Sequence, residues 1–327
     1  MFKKEFILSY RGLVSICVLL LLFLFPLFSS PYNTFILYSG LLLGLAAVSV
    51  NILLGYMGLV SFGHAAYFGI GAYTVALLTY YFNIHSMEVL LLVAFLTSLL
   101  ISAIVGFLTV RHTEVYFALL TLAFGQLFYS LILKFYNITR GTDGISIPML
   151  SLIGIKFNIT REIFTSYYYW YYGIPIVLGL LLLLWVIINS PFGLTLKIIR
   201  ENPSRARTIG IPVEKYRWYA FILSGTITGI AGALYAELYG HVAPDLLHYS
   251  LSGELLCIAL FGGYRSFIGP MIGGVIYTFL KSYLISITSY YWNFFLGIFL
   301  ALVILFFRGG FMGGLNLLIL SIRRKKS

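Results

Sequence analysis

Acidic side chains are scarce in this sequence. Ten Asp and Glu stand in 327 residues beside 21 Lys and Arg, so only 9% of the chain is charged. A soluble globular domain carries about 25%, and a water-facing surface cannot be built from so few charges. Cysteine is nearly absent. Cys17 and Cys257 each sit inside an apolar run, which excludes a disulfide framework by count and a metal site by spacing. The five histidines, at positions 64, 85, 112, 241 and 248, are scattered. No H-E-x-x-H, G-x-x-x-x-G-K-[ST] or G-x-S-x-G occurs, so no zinc helix, phosphate-cradling loop or nucleophile elbow can be assigned. An enzyme is poorly supported, no cofactor is expected, and the chain has no visible means of hydrolysing ATP itself. Ionisable groups within the apolar runs are also few: His64, and near run ends Glu237, Glu254 and Lys281. An ion-driven transporter should place such groups inside its spans, so ion coupling is disfavoured.

What the chain has in abundance is apolar length, with 61% hydrophobic residues. LLLLFLFPLF and VLGLLLLLWVII do not alternate as the strands of a membrane barrel would. The expected class is an all-α polytopic membrane protein. Runs close to the ~20 residues that cross a bilayer lie at 12–29, 34–55, 58–82, 88–110, 115–133, 171–189 and 218–238. A broken region follows, with a short run at 252–264, a Gly/Pro-interrupted run at 266–285 and a clean run at 290–307. The N-terminal run resembles a signal peptide but is followed by no small-residue cleavage site, and it is read as a retained span.

The net charge of +11 reflects topology rather than nucleic-acid binding. Lys3, Lys4 and Arg11 precede the first run, Arg111 follows the fourth, and Arg323, Arg324, Lys325 and Lys326 close the sequence. Segment 190–217 carries six basic residues against two acidic ones. Placing all of these inside requires cytoplasmic termini and an even number of crossings. Ten satisfies this, and eight does if the short run and its successor form one re-entrant excursion. The expected layout is one transmembrane domain over 1–327, with a cytoplasmic loop at 190–217, an outer loop at 134–170 and a basic tail at 321–327. The aromatic cluster YYYWYYG at 167–173 is expected at the outer headgroup level.

Within the charged loop, KIIRENPSRARTIGIP (197–212) reads as two short helices at an angle. Asn189 or Ser190 can cap the first, with Pro191 in its first turn, and Leu194 and Ile198 form an apolar stripe. Asn202 and Pro203 restart the chain, and Gly210 suits a left-handed stop. A small surface formed by Ala206, Ile209 and Gly210 is expected. An ordinary basic loop needs no such double start. A knob of this kind suits a membrane protein that receives force from a soluble motor.

Glycine is concentrated in GYMGLVSFGHAAYFGIGAY (55–73) and FGGYRSFIGPMIGG (261–274), one segment in each half. Two readings stand. Small residues let helices approach closely, or paired broken segments line a pathway. His64 likewise is either a packed, hydrogen-bonded histidine or a pathway contact.

Taken in order, GLVSFGHAAYFGIGAYTVALL, YFALLTLAFGQLFY, TRGTDGIS, IRENPSRARTIGI, YAFILSGTITGIAGALYA, GHVAPD, FGGYRSFIGPMIGG and LVILFFRGGFMGGL resemble the branched-chain amino-acid ABC permeases of the LivM type, over about residues 36 to 315. The resemblance implies a type II importer architecture with Gly-broken helices in the cytoplasmic (inner) membrane. A LivH-type second permease subunit, two cytoplasmic ABC ATPase subunits and an extracytoplasmic solute-binding protein are implied as partners, beside the lipid bilayer. It implies that Arg200, Glu201, Asn202, Arg205, Ala206 and Gly210 belong to the ATPase-docking loop. Candidates for the translocation pathway are Gly63, His64, Gly69, Gly71, Thr121, Gln126, Gly262 and Gly263. Arg140, Gly141, Asp143 and Gly144 form a polar outer turn, read either as a plain surface turn or as a contact for the binding protein. Urea or another small amide is the alternative solute, and an ATP-independent channel the alternative mechanism.

Overall fold

The computed structural model describes residues 19–112, 114–288, 290–306, 310–311 and 313. Lys3, Lys4, Arg11 and the basic tail at 321–327 lie outside them.

The chain is helical almost throughout, because only helices and closed barrels satisfy every backbone polar group inside a bilayer. α1 is Leu19–Phe28. α2 (Pro31–Asn51) starts on Ser30, whose Oγ accepts from Asn33 N at 3.3 Å, and runs into a π-helical turn at Ile52–Met57. α3 (His64–Phe82), α4 (Met87–Thr109), α5 (Glu114–Lys134) and the short α6 (Tyr136–Thr139) follow. Strand β1 is Ile145–Ser146. α7 (Arg161–Ile163) passes through a π turn at Phe164–Tyr168 into α8 (Tyr169–Asn189). Then come α9 (Pro191–Glu201), α10 (Pro203–Thr208) and α11 (Val213–Tyr239). Strand β2 (His241–Val242) pairs antiparallel with β1. α12 (Tyr249–Gly262), α13 (Gly269–Ile287) and α14 (Trp292–Phe306) complete the order.

Among the described residues seven helices have the length and apolarity to cross a membrane, and α1, α12 and the apolar part of α14 are shorter. The ten apolar runs of the sequence fall on these elements. Two boundaries differ. The third run was read from residue 58, but 58–63 is not helical and α3 begins at His64. The sixth was read from residue 171, but the helix already begins at Arg161.

α2 is the axis of the bundle and is buried all round, in keeping with its lack of a polar face. α13 packs against it antiparallel: a Cβ at Gly44 would stand 2.9 Å from the Met271 carbonyl, and one at Gly40 3.0 Å from Val275 Cα. α3 and α11 run parallel and touch through backbone. A Cβ at Gly71 would overlap the Gly229 carbonyl, and one at Gly232 the Phe68 carbonyl. Without a hydrophobic force between helices in lipid, such close approach supplies the packing.

Two rings of the aromatic cluster turn into the bundle, while Tyr168 and Tyr171 stay exposed. Tyr169 and Trp170 are fully buried, and both pack against Tyr38 of α2, tilted and edge-on, with ring centroids 5.4 and 5.7 Å away. The Tyr169 hydroxyl donates to the Leu234 carbonyl at 2.7 Å. An aromatic ring with one polar tip suits a core hydrogen bond as well as a headgroup, and the early start of the helix turns these rings inward.

Candidate functional site: the island and the glycine breaks

The two short helices form as their end signals dictate. Ser190 Oγ accepts from Phe192 N at 3.2 Å at the start of α9, and Asn202 Oδ1 accepts from Arg205 N at 3.0 Å at the start of α10. Gly210 stops the second with φ of 87°. Ile199, Ala206 and Val213 bury one another and fix the angle between the pieces. Ala206 is therefore fully buried, not part of an outward surface. Its methyl is needed inside, where α10 folds back on α9.

The outward apolar surface is instead Leu194, Ile198 and Ile209, exposed by 57%, 44% and 70%. No atom lies within 4 Å of a Cβ built on Gly210, so the space beside this surface is open within the chain. Glu201 and Arg205 are exposed, and Arg207 pairs with Glu214 at 2.6 Å.

Arg200, itself exposed, reaches the other way, back to the end of the bundle. Its Nη1 donates to the carbonyl of Gly55 in the π turn of α2. Its guanidinium stands 5.9 Å from the centroid of the Tyr264 ring, in the loop between α12 and α13. Gly58, left-handed at φ 74°, leaves room for the arginine stem: a Cβ there would sit 3.1 Å from Arg200 Cγ. Asn51 Nδ2 ties the same two places together, donating to the Ser266 carbonyl at 3.3 Å. The glycine-rich segments of the two halves thus meet at one end of the bundle, with the island arginine between them. A cavity of about 380 Å³ lies here, lined by Gly55, Tyr56, Lys197, Arg200, Glu201, Tyr264 and Arg265. Tyr264 and the Gly55 carbonyl were not among the expected site residues. The one sequence signal was that Lys197 and Arg200 share a helix face.

The other candidates separate into groups. His64 is sealed from solvent, with Nδ1 2.9 Å from Ser61 Oγ and Nε2 2.8 Å from Ser224 Oγ. Ser224 donates onward to the Ser49 carbonyl at 2.5 Å. Both ring nitrogens are satisfied, and the ring joins α3 to α11. Gly63 and Thr121 adjoin it: a Cβ on Gly63 would sit 2.5 Å from the Thr121 carbonyl, and Thr121 Oγ1 accepts from Phe62 N at 3.2 Å. Gly69 faces Leu247 and Gly71 faces Gly229. Gly262 meets the Gly269 carbonyl, and Gly263 makes the break at φ 112°. Gln126 stands apart, its Nε2 buried with no partner among the described residues.

The polar turn lies at the far end of α11, whose 27 residues separate it from the island by about 40 Å. Arg140 (φ 58°), Gly141 (φ 48°) and Gly144 (φ 68°) are all left-handed. The Arg140 guanidinium lies 4.7 Å from the Tyr80 ring centroid, and the Tyr136 hydroxyl donates to Asp143 Oδ2 at 2.6 Å. That bond and the carboxylate charge push the Tyr136 phenol above its ordinary pKa. A Cβ on Gly144 would stand 2.5 Å from the Val242 carbonyl, so the turn is clamped against β2.

Residues 32–305 match the family described as branched-chain amino acid transport system / permease component. The high-affinity branched-chain amino acid transport system permease protein LivM of Salmonella typhimurium is 30% identical over 247 residues, covering 70% of this chain and 58% of the relative. LivH of Escherichia coli, a permease protein of the same kind of system, is 24% identical over 260 residues, covering 73% of this chain and 82% of the relative. The nucleoside ABC transporter permease protein NupC of Lactococcus lactis is 32% identical over 101 residues, covering 30% and 31% of the two chains. This chain thus spans 58% of the length of the LivM relatives it matches. No solved structure matches it.

Proposed function

This chain belongs to the family of branched-chain amino acid transport system permease components, and from that premise we propose that it is the LivM-type subunit of an ATP-binding-cassette importer. It works as one transmembrane domain in the cytoplasmic membrane, with both termini and the island inside and the Arg140–Gly144 turn outside. A LivH-type permease stands beside it, two ATPase subunits dock beneath, and a binding protein delivers leucine, isoleucine or valine from outside.

One observation carries the reading: the island is two-faced. Leu194, Ile198 and Ile209 point outward beside open space at Gly210, while Arg200 reaches back to the glycine breaks. An isolated basic loop needs neither. Closure of an ATPase dimer against the outward face would move α9 and α10 as a body. Arg200 would carry that movement to the Gly55 carbonyl and Tyr264, where two helix pairs are unwound and can re-angle. Rigid helices around pliable breaks suit alternating access, and the absence of a phosphate loop is natural when the motor is another chain. Reconstitution with the partner subunits tests the reading: leucine-loaded binding protein should stimulate ATP hydrolysis and leucine uptake.

A second solute class has a specific observation behind it. The likeness to a nucleoside permease protein makes uridine the competing substrate for the same assay.

A further inference from the structure

Two opposite charges stand half-buried on the apolar helices, away from the island. Lys281 lies on α13, six residues before the helix ends at Ile287, which is about 9 Å of helix. Glu254 is the sixth residue of α12. Lys281 Nζ and Glu254 Oε2 are 3.4 Å apart, a loose pair, and the two side chains retain 30% and 28% exposure. Charges at such a depth are costly and call for a use. Nothing in the packing of α12 on α13 needs them, since that contact is made by backbone at Gly262, Gly269 and Gly273.

The lysine also lines a cavity of about 190 Å³ between α2, α11 and α13. Tyr32, Phe35, Tyr235 and Tyr239 form aromatic walls, and Ser282, bonded to the Tyr32 hydroxyl at 2.7 Å, marks the rim. Tyr235 and Tyr239 stack at 4.2 Å. The ammonium of Lys281 lies 5.0 Å from the Trp292 ring and 5.8 Å from the Tyr277 ring, which steady it when its carboxylate partner is drawn away. The cavity lies below the ~300 Å³ at which drug-sized pockets begin, so it suits one small solute.

We propose that the Lys281–Glu254 pair and the aromatic cavity beside it form a transient binding site for a zwitterionic amino acid with an apolar side chain. A zwitterion can enter such a pair without net change of charge. Its carboxylate takes the lysine, its ammonium takes the glutamate, and neither protein charge is left bare in a low dielectric. An anion, a cation or an uncharged nucleoside would strand one or both partners. The aliphatic side chain lies against the aromatic walls. A loose pair at 3.4 Å yields to exchange more readily than a tight one and releases the solute again, as a translocation path requires. The proposal rests on the reading of the chain as an amino-acid permease.

The test uses the full importer with Lys281→Met, Glu254→Gln and the double variant, read by leucine uptake, by thermal stability and by Trp292 emission. That emission is taken as the difference between the wild-type chain and Trp292→Phe during titration with L-leucine. Each single variant strands a charge and loses stability as well as uptake. The double variant strands none and keeps near-wild-type stability, yet it loses uptake at least about tenfold and shows no leucine-dependent Trp292 signal. Uptake restored in the double variant would mean that the pair is structural, and would overturn the proposal while leaving the permease reading intact. A wild-type importer that carries uridine and no amino acid would overturn both.

Discussion

The guanidinium of Arg200 donates to the main-chain carbonyl of Gly55, joining two positions 145 residues apart. The bond links the island to a carbonyl in the π turn that ends α2. Arg200→Leu should leave Leu194, Ile198 and Ile209 in place, so ATPase subunits still dock and hydrolyse ATP. Solute uptake should fall by about tenfold or more, an uncoupled phenotype. Arg200→Lys should be intermediate, because an ammonium cannot both reach the carbonyl and lie as a plane over Tyr264. Hydrolysis and uptake measured on the same vesicles decide it, and parallel losses in both would argue for a purely structural role.

At the α3–α11 crossing the backbone contact leaves no space for a methyl group. Gly71→Ala, whose methyl meets the Gly229 carbonyl, and Gly232→Ala, whose methyl meets the Phe68 carbonyl, should each cost roughly 1–3 kcal/mol or more, the range for overpacking a dense core. Gly179→Ala is the control, since nothing lies within 4 Å of its Cβ. It should be neutral or stabilise by up to about 1 kcal/mol through helix propensity. Thermal unfolding of the purified chain separates them.

Glu237 is fully buried on α11 with its carboxylate 3.8 Å from Arg161. The same guanidinium donates to the carbonyls of Glu237 at 2.6 Å and Ile147 at 2.9 Å. Arg161→Ala should destabilise the chain by about 2 kcal/mol, within the range for leaving buried carbonyl acceptors without their donor. Loss of expression or an early unfolding transition would register it, and an unchanged transition would show that solvent already satisfies those carbonyls.

Asp143 accepts the Tyr136 proton donor at 2.6 Å, and the phenol is held above its ordinary pKa by that bond and the carboxylate charge. The bond is intact while the phenol keeps its proton and is lost as pH rises through the raised pKa. Asp143→Asn should therefore move the Tyr136 titration downward, as read by ultraviolet difference spectra against Tyr136→Phe. If the turn meets the binding protein, Asp143→Ala should also reduce uptake more than subunit assembly.

How much of this was legible beforehand depends on the range of each interaction. Asn202, Pro203 and Gly210 act on neighbours within a turn or two, and their capping and stop signals located both short helices correctly. The break at Gly58 and the one at Gly263 were visible as glycine clusters. The direction of Arg200 was not, because its partners lie in loops distant in sequence. Ala206 was misplaced for a related reason: a small residue suits a contact face and a tight internal corner equally. The sequence does not separate Tyr169 and Trp170 from their exposed neighbours, because amphipathic aromatics serve interfaces and cores alike, and only the position of Tyr38 decides between them.

The most direct measurement of the central claim, that a separate motor drives this permease through the island, is ATPase co-purification. Ile209→Asp places a charge on an exposed apolar contact without straining the backbone. Gly210→Val puts a β-branched residue at φ 87°, where strain costs about 1–3 kcal/mol, and fills the open space beside the contact. Both variants should insert and fold, Gly210→Val with that loss of local stability, lose the ATPase subunits from the purified complex and abolish solute-stimulated hydrolysis. Arg205→Glu, at the rim, should weaken association less. If Ile209→Asp and Gly210→Val both retain the ATPase and its stimulation at wild-type level, the island is not the docking element and the account of how this permease is powered is contradicted.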